Sequence, residues 1–97
     1  MREYEATIVI KPDLDDEARN ALIDRVAGWL TPDDDNANKP VINHWGRRTL
    51  AYPIQDYKEG YYVLYEARMD PATINEVERE ILYLEDILRH LVVVKEN

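Results

Sequence analysis

The stretch Val41-Ile42-Asn43-His44-Trp45-Gly46-Arg47-Arg48-Thr49-Leu50-Ala51-Tyr52-Pro53-Ile54 predicts a long β-strand. β-Branched and aromatic residues, which favour strands, recur along it, and Gly46 marks a point where the strand can bend. Pro53 has no N–H to donate and therefore marks the end of the strand or an edge position. The polar segment 55–60 predicts a hairpin connection, and the alternating residues Tyr61 to Arg68 predict a third strand.

The segments on either side of this hairpin predict two helices and two further strands. Residues 4–10 are apolar and β-branched, which indicates a first strand with Ala6, Ile8 and Ile10 on one face. From Leu14 onward, apolar residues recur every four positions, which indicates a helix. The expected members of its apolar stripe are Leu14, Ala18, Leu22, Ile23, Val26, Trp29 and Leu30, and its solvent side is expected to carry Arg19, Asn20, Asp24 and Arg25.

A second helix and a last strand complete the chain. Asp70 followed by Pro71 is typical of a helix start, with Asp70 as the N-cap. Its buried stripe is expected to contain Ile74, Val77, Ile81 and Leu84 or Leu88, and residues 91–95 predict the last strand. The element order βαββαβ predicts an α+β fold of the ferredoxin-like split βαβ type, in which a four-stranded antiparallel sheet carries two helices on one face. We expect residues 1–97 to form a single domain.

Charge and composition limit the possible functions. Twelve basic and twenty acidic side chains give a formal net charge of −8, which opposes non-specific binding to a polyanion. Seven acidic residues lie near the first helix or in the following polar loop from Thr31 to Pro40, away in sequence from Arg47 and Arg48: Asp13, Asp15, Asp16, Glu17, Asp33, Asp34 and Asp35. There is no cysteine and no apolar run of the about 20 residues that a bilayer span requires. We therefore expect a soluble chain with no membrane partner.

The chain lacks the residue patterns of an enzyme. His44 and His90 have neither metal-ligand nor catalytic-triad spacing, and the three glycines are too far apart to form a phosphate-binding loop. We therefore expect no catalytic residue, metal, cofactor or small-molecule substrate. The βαββαβ order also suggests an RNA-recognition motif, but the glycine-flanked basic and aromatic consensus around Tyr61 and Tyr62 is incomplete.

Two surfaces remain as candidates for binding. Arg47 and Arg48 lie between Trp45 and Tyr52, and guanidinium groups beside aromatic rings suit phosphate and base recognition. Strand alternation places Arg47 and Arg48 on opposite faces, so we expect one of them to face a nucleic acid. The second candidate is the sheet face without helices, where an apolar area suits partner-protein docking. Its expected members are Val9, Trp45, Tyr62 and Leu64.

Several segments together resemble a known family. They are Met1-Arg2-Glu3-Tyr4-Glu5, the run from Trp45 to Ile54, Gly60-Tyr61-Tyr62 and the closing run from Leu88 to Lys95. Over nearly its whole length the chain resembles the bacterial small-subunit ribosomal protein six family. The resemblance implies a non-enzymatic cytoplasmic component of the ribosome that binds central-domain small-subunit rRNA together with small-subunit ribosomal protein eighteen. Carried over by position, the expected RNA-binding residues are Arg2, Tyr4, Arg47, Arg48, Tyr52, Arg89 and Lys95.

The chain also departs from the pattern of that family. Thr49 and Leu82 stand where basic or long polar residues are expected, and the loop with Asp33–Asp35 is long and acidic. Each departure removes positive charge and so weakens attraction to RNA. These features suit a redesigned member that kept the fold. The alternative function is therefore a protein-interaction or scaffold domain without an RNA role, and a third alternative is a small-molecule-binding or enzymatic domain of the same fold.

Overall fold

The computed structural model of the chain describes residues 2–31 and 39–95. The predicted acidic segment Asp33–Asp35 and the chain ends at Met1 and Asn97 lie outside the described residues. The predicted βαββαβ order is confirmed. Its elements are β1 (Arg2–Ile10), α1 (Asp16–Trp29), β2 (Val41–Ile54), β3 (Tyr57–Met69), α2 (Ile74–Leu82) and β4 (Ile87–Val94).

The four strands form one antiparallel sheet in the order β2-β3-β1-β4. In the centre of the sheet, Ile8 pairs with Val63 and with His90, and the next residue towards the N-terminus, Thr7, pairs with Leu64 and with Leu91. Since successive side chains alternate between faces, these two rows lie on opposite faces. The row with Ile8 and Val63 lies in the core beneath the helices, and the row with Thr7 lies on the uncovered face, called the open face below.

The core lies between the helices and one face of the sheet, as predicted. Ala6, Ile8 and Ile10 of β1 pack with residues of α1 and α2 and are almost inaccessible to solvent. The helical members of this core are Ile23, Val26, Leu30, Val77 and Ile81. Tyr65 is fully buried, and its hydroxyl donates a hydrogen bond of 2.8 Å to the carbonyl oxygen of Ile23. This bond satisfies a polar group that would be costly to bury alone and ties β3 to α1.

The helices begin where their capping residues stand. Asp15 caps α1 by accepting from the backbone N–H of Ala18 at 2.7 Å, so the helix begins at Asp16 and not at the predicted Leu14. Asp70 accepts from the N–H of Ala72 at 3.0 Å, which confirms its capping role. The segment Pro71–Thr73 is a short 3₁₀ turn, and the α-helix follows it.

Three strands are longer than predicted, and β1 already begins at Arg2. The predicted polar connection 55–60 is a turn at Gln55 and Asp56, and β3 already begins at Tyr57. Both turn residues have positive φ angles, 50° and 69°, as in the turns that suit the twist of a hairpin. The last strand begins at Ile87, so Leu88 belongs to β4 and not to the second helix. Polar residues hid the extension of β3, because hydrogen bonds to β2 offset a weak local preference. The start of β4 was missed because Leu88 also fits the helical spacing.

Candidate nucleic-acid interface

Strand alternation puts the two adjacent arginines on opposite faces of the sheet, and a β-bulge in β2 sets which of them lies on which face. The register with β3 shifts between His44 and Gly46, so Trp45 is an extra residue without its own partner. Gly46 has a φ of 79°, a left-handed value that glycine adopts without steric cost. After the bulge, Arg47 is opposite Tyr61 and Arg48 is opposite Gly60. Arg47 is therefore on the helix side, and Arg48 is on the open face.

Arg47 anchors the hairpin of β2 and β3 to the loop between β1 and α1. Its guanidinium donates to the carbonyl oxygen of Pro12 at 2.7 Å. The hydroxyl of Tyr57 donates to the Asp13 carboxylate at 3.0 Å, and this hydrogen bond raises the pKa of Tyr57 above its ordinary value. Arg47 and Tyr57 thus both tie the hairpin to this loop, a structural role that the sequence did not indicate.

The side chain of Arg19 lies against the sheet and not on the solvent side of α1, where it was predicted. Its guanidinium lies over the ring of Tyr61, with 4.3 Å between the guanidinium carbon and the ring centroid, and it forms an ion pair of 3.1 Å with Asp16. The Tyr61 hydroxyl shares a hydrogen bond of 3.0 Å with Nδ1 of His44. The long arginine side chain covers the ring at the margin of the core, which is why residue type alone misplaced it.

Arg48 contacts an exposed aromatic ring on the open face. Its guanidinium carbon lies 5.1 Å from the ring centroid of Trp45, a distance at which a cation is attracted to an indole face. Trp45 still exposes 45% of its surface to solvent. The two residues thus form an exposed pair of a cation and an aromatic ring.

The end of the hairpin reaches across the open face to β4. The Arg89 guanidinium donates a hydrogen bond to the Tyr52 hydroxyl at 3.1 Å, although β3 and β1 lie between their strands. Beneath this bridge Val9 is 3% exposed and Leu50 is 8% exposed. A Cβ at Gly60 would overlap Cγ1 of Val9, so glycine permits this close approach. The prediction of Val9 as a docking residue is therefore wrong, because the chain itself covers it.

Lys95 is held by a carboxylate. Its ammonium group forms a hydrogen-bonded ion pair of 3.1 Å with Glu66, and this bond raises the pKa of Lys95 above its ordinary value. Glu66 is also opposite Glu5 in the sheet. The open face is therefore acidic around Glu5 and Glu66, and Lys95 offers a phosphate less free charge than the sequence suggests.

The two predicted RNA-binding residues of the opening segment lie on the helix side. Arg2 is exposed and pairs with the buried Met69 at the end of β1. Tyr4 is 6% exposed and belongs to the core. Alternation along β1 puts it in line with Ala6 and Ile8, so its ring cannot stack on a base without partial unfolding. Tyr4 therefore cannot serve as the aromatic neighbour that the resemblance implied.

An apolar row crosses the middle of the open face. Thr7 lies between Leu64 and Leu91, its partners on the two neighbouring strands. Tyr62 lies in the next row of the same face, opposite Val9. Leu91 exposes 56% and the nearby Val93 44% of its surface. Sequence reasoning found Tyr62 and Leu64 but missed Leu91 and Val93. The alternation of residues along β4 could have placed both on the open face. It was missed because the strand was predicted to begin at residue 91 and not at Ile87.

The predicted binding residues thus separate into two groups. Arg48, Tyr52, Arg89 and Lys95 share the open face with Trp45, Tyr62 and Leu64, whereas Arg2, Tyr4 and Arg47 lie on the helix side. Within residues 2–31 and 39–95, no three histidine, aspartate or glutamate side chains are arranged to hold a metal ion. In the same part of the chain, no helix is both long and apolar enough to span a membrane.

Two comparisons with known proteins identify the family and the fold. The family model described as Ribosomal protein S6 matches residues 3–94. The chain belongs to the ribosomal protein S6 family. A solved structure of the 30S ribosomal protein S6 from Thermotoga maritima superposes with a TM-score of 0.85 at 26% sequence identity, and the match covers 97% of this chain and 87% of that chain.

Membership of the S6 family agrees with the fold and the class of protein expected from the sequence. The antiparallel sheet with two helices in βαββαβ order matches the ferredoxin-like fold of the Thermotoga S6 protein. The S6 family is a structural, non-enzymatic component of the small ribosomal subunit.

Proposed function

We propose that this S6 family member binds central-domain small-subunit rRNA together with small-subunit ribosomal protein eighteen, as a structural part of cytoplasmic ribosomes. The observation that carries the proposal is the position of Arg48 and Arg89. They come from β2 and β4 but lie on the same face, each in contact with an exposed aromatic side chain. Arginines and rings in this combination suit phosphate and base contacts.

The apolar row beside these arginines supports docking of the partner protein. Tyr62, Leu64, Leu91 and Val93 form a surface that the described parts of the chain leave accessible. Apolar residues at the centre and charged residues at the rim are the usual composition of a protein interface. The partner would thus cover the apolar row, and the RNA would contact Arg48 and Arg89 at one end of it.

The partner also explains how an acidic protein can function in a ribonucleoprotein. A net charge of −8 and the Glu5–Glu66 pair oppose RNA binding by this chain alone. A partner that brings its own positive charge would offset that repulsion. We therefore expect strong RNA binding only when both proteins are present.

The test is a titration of a central-domain rRNA fragment at several salt concentrations, with and without protein eighteen. We expect tight binding only with the partner and a salt slope that falls by about 0.7–0.9 for each phosphate contact removed. Arg48→Ala and Arg89→Ala should each weaken binding, whereas Arg79→Ala on the exposed side of α2 is the matched control. Equal binding by all three folded variants would contradict the proposal.

A second candidate function is a protein-interaction domain without an RNA role. The acidic part of the open face around Glu5 and Glu66 favours it, because these two carboxylates would repel a phosphate backbone. This candidate predicts partner binding that Leu91→Asp abolishes, and no RNA binding at any salt concentration. The same titration therefore separates the two functions.

A further inference from the structure

The bulge in β2 presents Trp45 differently from the other large apolar residues of the sheet. Because Trp45 has no cross-strand partner of its own, its indole is not packed within the regular ladder. It remains 45% exposed. Bulges often lie beside functional sites, where they re-aim a side chain, so the exposed indole at this bulge is a candidate contact residue.

The Arg48 guanidinium determines which ligand suits this ring. It lies 5.1 Å from the ring centroid, and Arg48 itself is exposed. An apolar protein surface laid on Trp45 would remove water from this charge without supplying an acceptor, which is costly. An unpaired nucleotide matches both groups, because its base has a face for the indole and its phosphate accepts from the guanidinium.

We infer that Trp45 and Arg48 form a stacking site for one unpaired RNA base. This assignment replaces the predicted role of Trp45 in partner docking, and it rests on the proposed RNA function. Arg48 orients the ring and contacts the phosphate of the stacked nucleotide. Arg47, held by the carbonyl oxygen of Pro12, stays outside this site.

Fluorescence can test the inference, because the chain has two tryptophans. Trp29→Phe leaves Trp45 as the sole tryptophan, and the variant is titrated at low salt with a single-stranded oligoadenylate and with an RNA duplex that has no unpaired bases. We expect the single strand to quench Trp45 fluorescence at the concentrations where labelled RNA shows binding by anisotropy. The duplex should produce no quenching. Binding of the single strand without quenching would overturn the inference.

Affinity in the otherwise unchanged chain gives an independent readout if Trp29→Phe folds poorly. We expect Trp45→Ala to weaken binding of the oligoadenylate by about 5- to 150-fold and Trp45→Phe to retain most of the affinity. Tyr83→Ala, which removes an exposed ring next to α2, is the control and should leave the affinity unchanged. Equal affinity of Trp45→Ala and the parent chain would refute stacking. If Trp45→Ala still binds the rRNA fragment together with protein eighteen, the proposed function stands without the stacking site.

Discussion

The Arg89 guanidinium donates a hydrogen bond to the Tyr52 hydroxyl across 3.1 Å, which joins the two edge strands of the sheet above its open face. In a flat sheet these strands would lie about 14 Å apart, three strand spacings of about 4.8 Å. The hairpin of β2 and β3 must therefore curl over the face to make the contact. The bond orients Arg89 at the end of the apolar row.

Removing the Tyr52 hydroxyl should weaken RNA binding more than it weakens folding. Tyr52→Phe releases Arg89 from one fixed orientation, and loss of a hydrogen bond of about 0.5–1 kcal/mol corresponds to about two- to fivefold in affinity. Both residues are exposed, so unfolding in urea should change little. Tyr83→Phe is the matched control. An unchanged affinity of Tyr52→Phe for the rRNA fragment and protein eighteen would mean that the bridge does not position Arg89.

Two glycine substitutions should have opposite effects on stability. Gly60→Ala forces a methyl group against Val9, and overpacking of this kind costs about 1–3 kcal/mol. Gly28→Ala places its methyl group in open space within α1, and alanine favours a helix over glycine by about 0.5–1 kcal/mol. Urea unfolding of both variants measures the difference. A Gly60→Ala protein as stable as the parent would show that the Val9 contact is looser than described.

Tyr65 should make the folded state sensitive to alkaline pH. Burial raises the pKa of Tyr65 above the ordinary value of 10.0. From pH 10.0 upward, the phenol ionises in the unfolded chain but stays protonated in the folded chain. The unfolded state then binds fewer protons, so stability falls as pH rises, by up to about 1.4 kcal/mol per pH unit.

Tyr65→Phe should flatten this alkaline loss. Below pH 10 the variant should be less stable by about 0.5–1.5 kcal/mol, because the bond to the Ile23 carbonyl is absent. Above pH 10 the two stabilities should converge. Urea unfolding from about pH 8 to pH 11.5 measures both effects, with Tyr83→Phe as the exposed control. Parallel pH profiles for Tyr65→Phe and the parent would contradict the assigned burial effect.

Neutralising Glu66 should strengthen RNA binding. Glu66→Gln removes one negative charge from the open face and frees the Lys95 ammonium, whose pKa should move back towards its ordinary value. We expect affinity at low salt to rise by about two- to fivefold and the gain to shrink as salt screens the charges. Glu80→Gln on the exposed surface of α2 changes the net charge equally and is the control. A similar gain from Glu80→Gln would assign the effect to net charge alone.

Local periodicity was enough to predict the core of β1 and the two helices. Ala6, Ile8 and Ile10 are two residues apart, and a strand turns such residues to one face wherever it lies in a sheet. The same rule also placed Arg47 and Arg48 on opposite faces, and it would have shown Tyr4 to be in the core had it been applied there. The predicted helix starts at Leu14 and Pro71 lie close to those of α1 and α2, because helical spacing and the Asp70 cap are local signals.

Long-range contacts determined which residues form the candidate site. The sequence by itself determined the order of elements, the ferredoxin-like fold class and the family, since these depend on periodicity, turn residues and family motifs. Only the tertiary structure showed that Val9 is covered, that Lys95 is paired with Glu66 and that Tyr52 reaches Arg89. Each of these depends on the bulge, the register or the curl of the hairpin, which bring together side chains far apart in the chain. No local pattern encodes such distances.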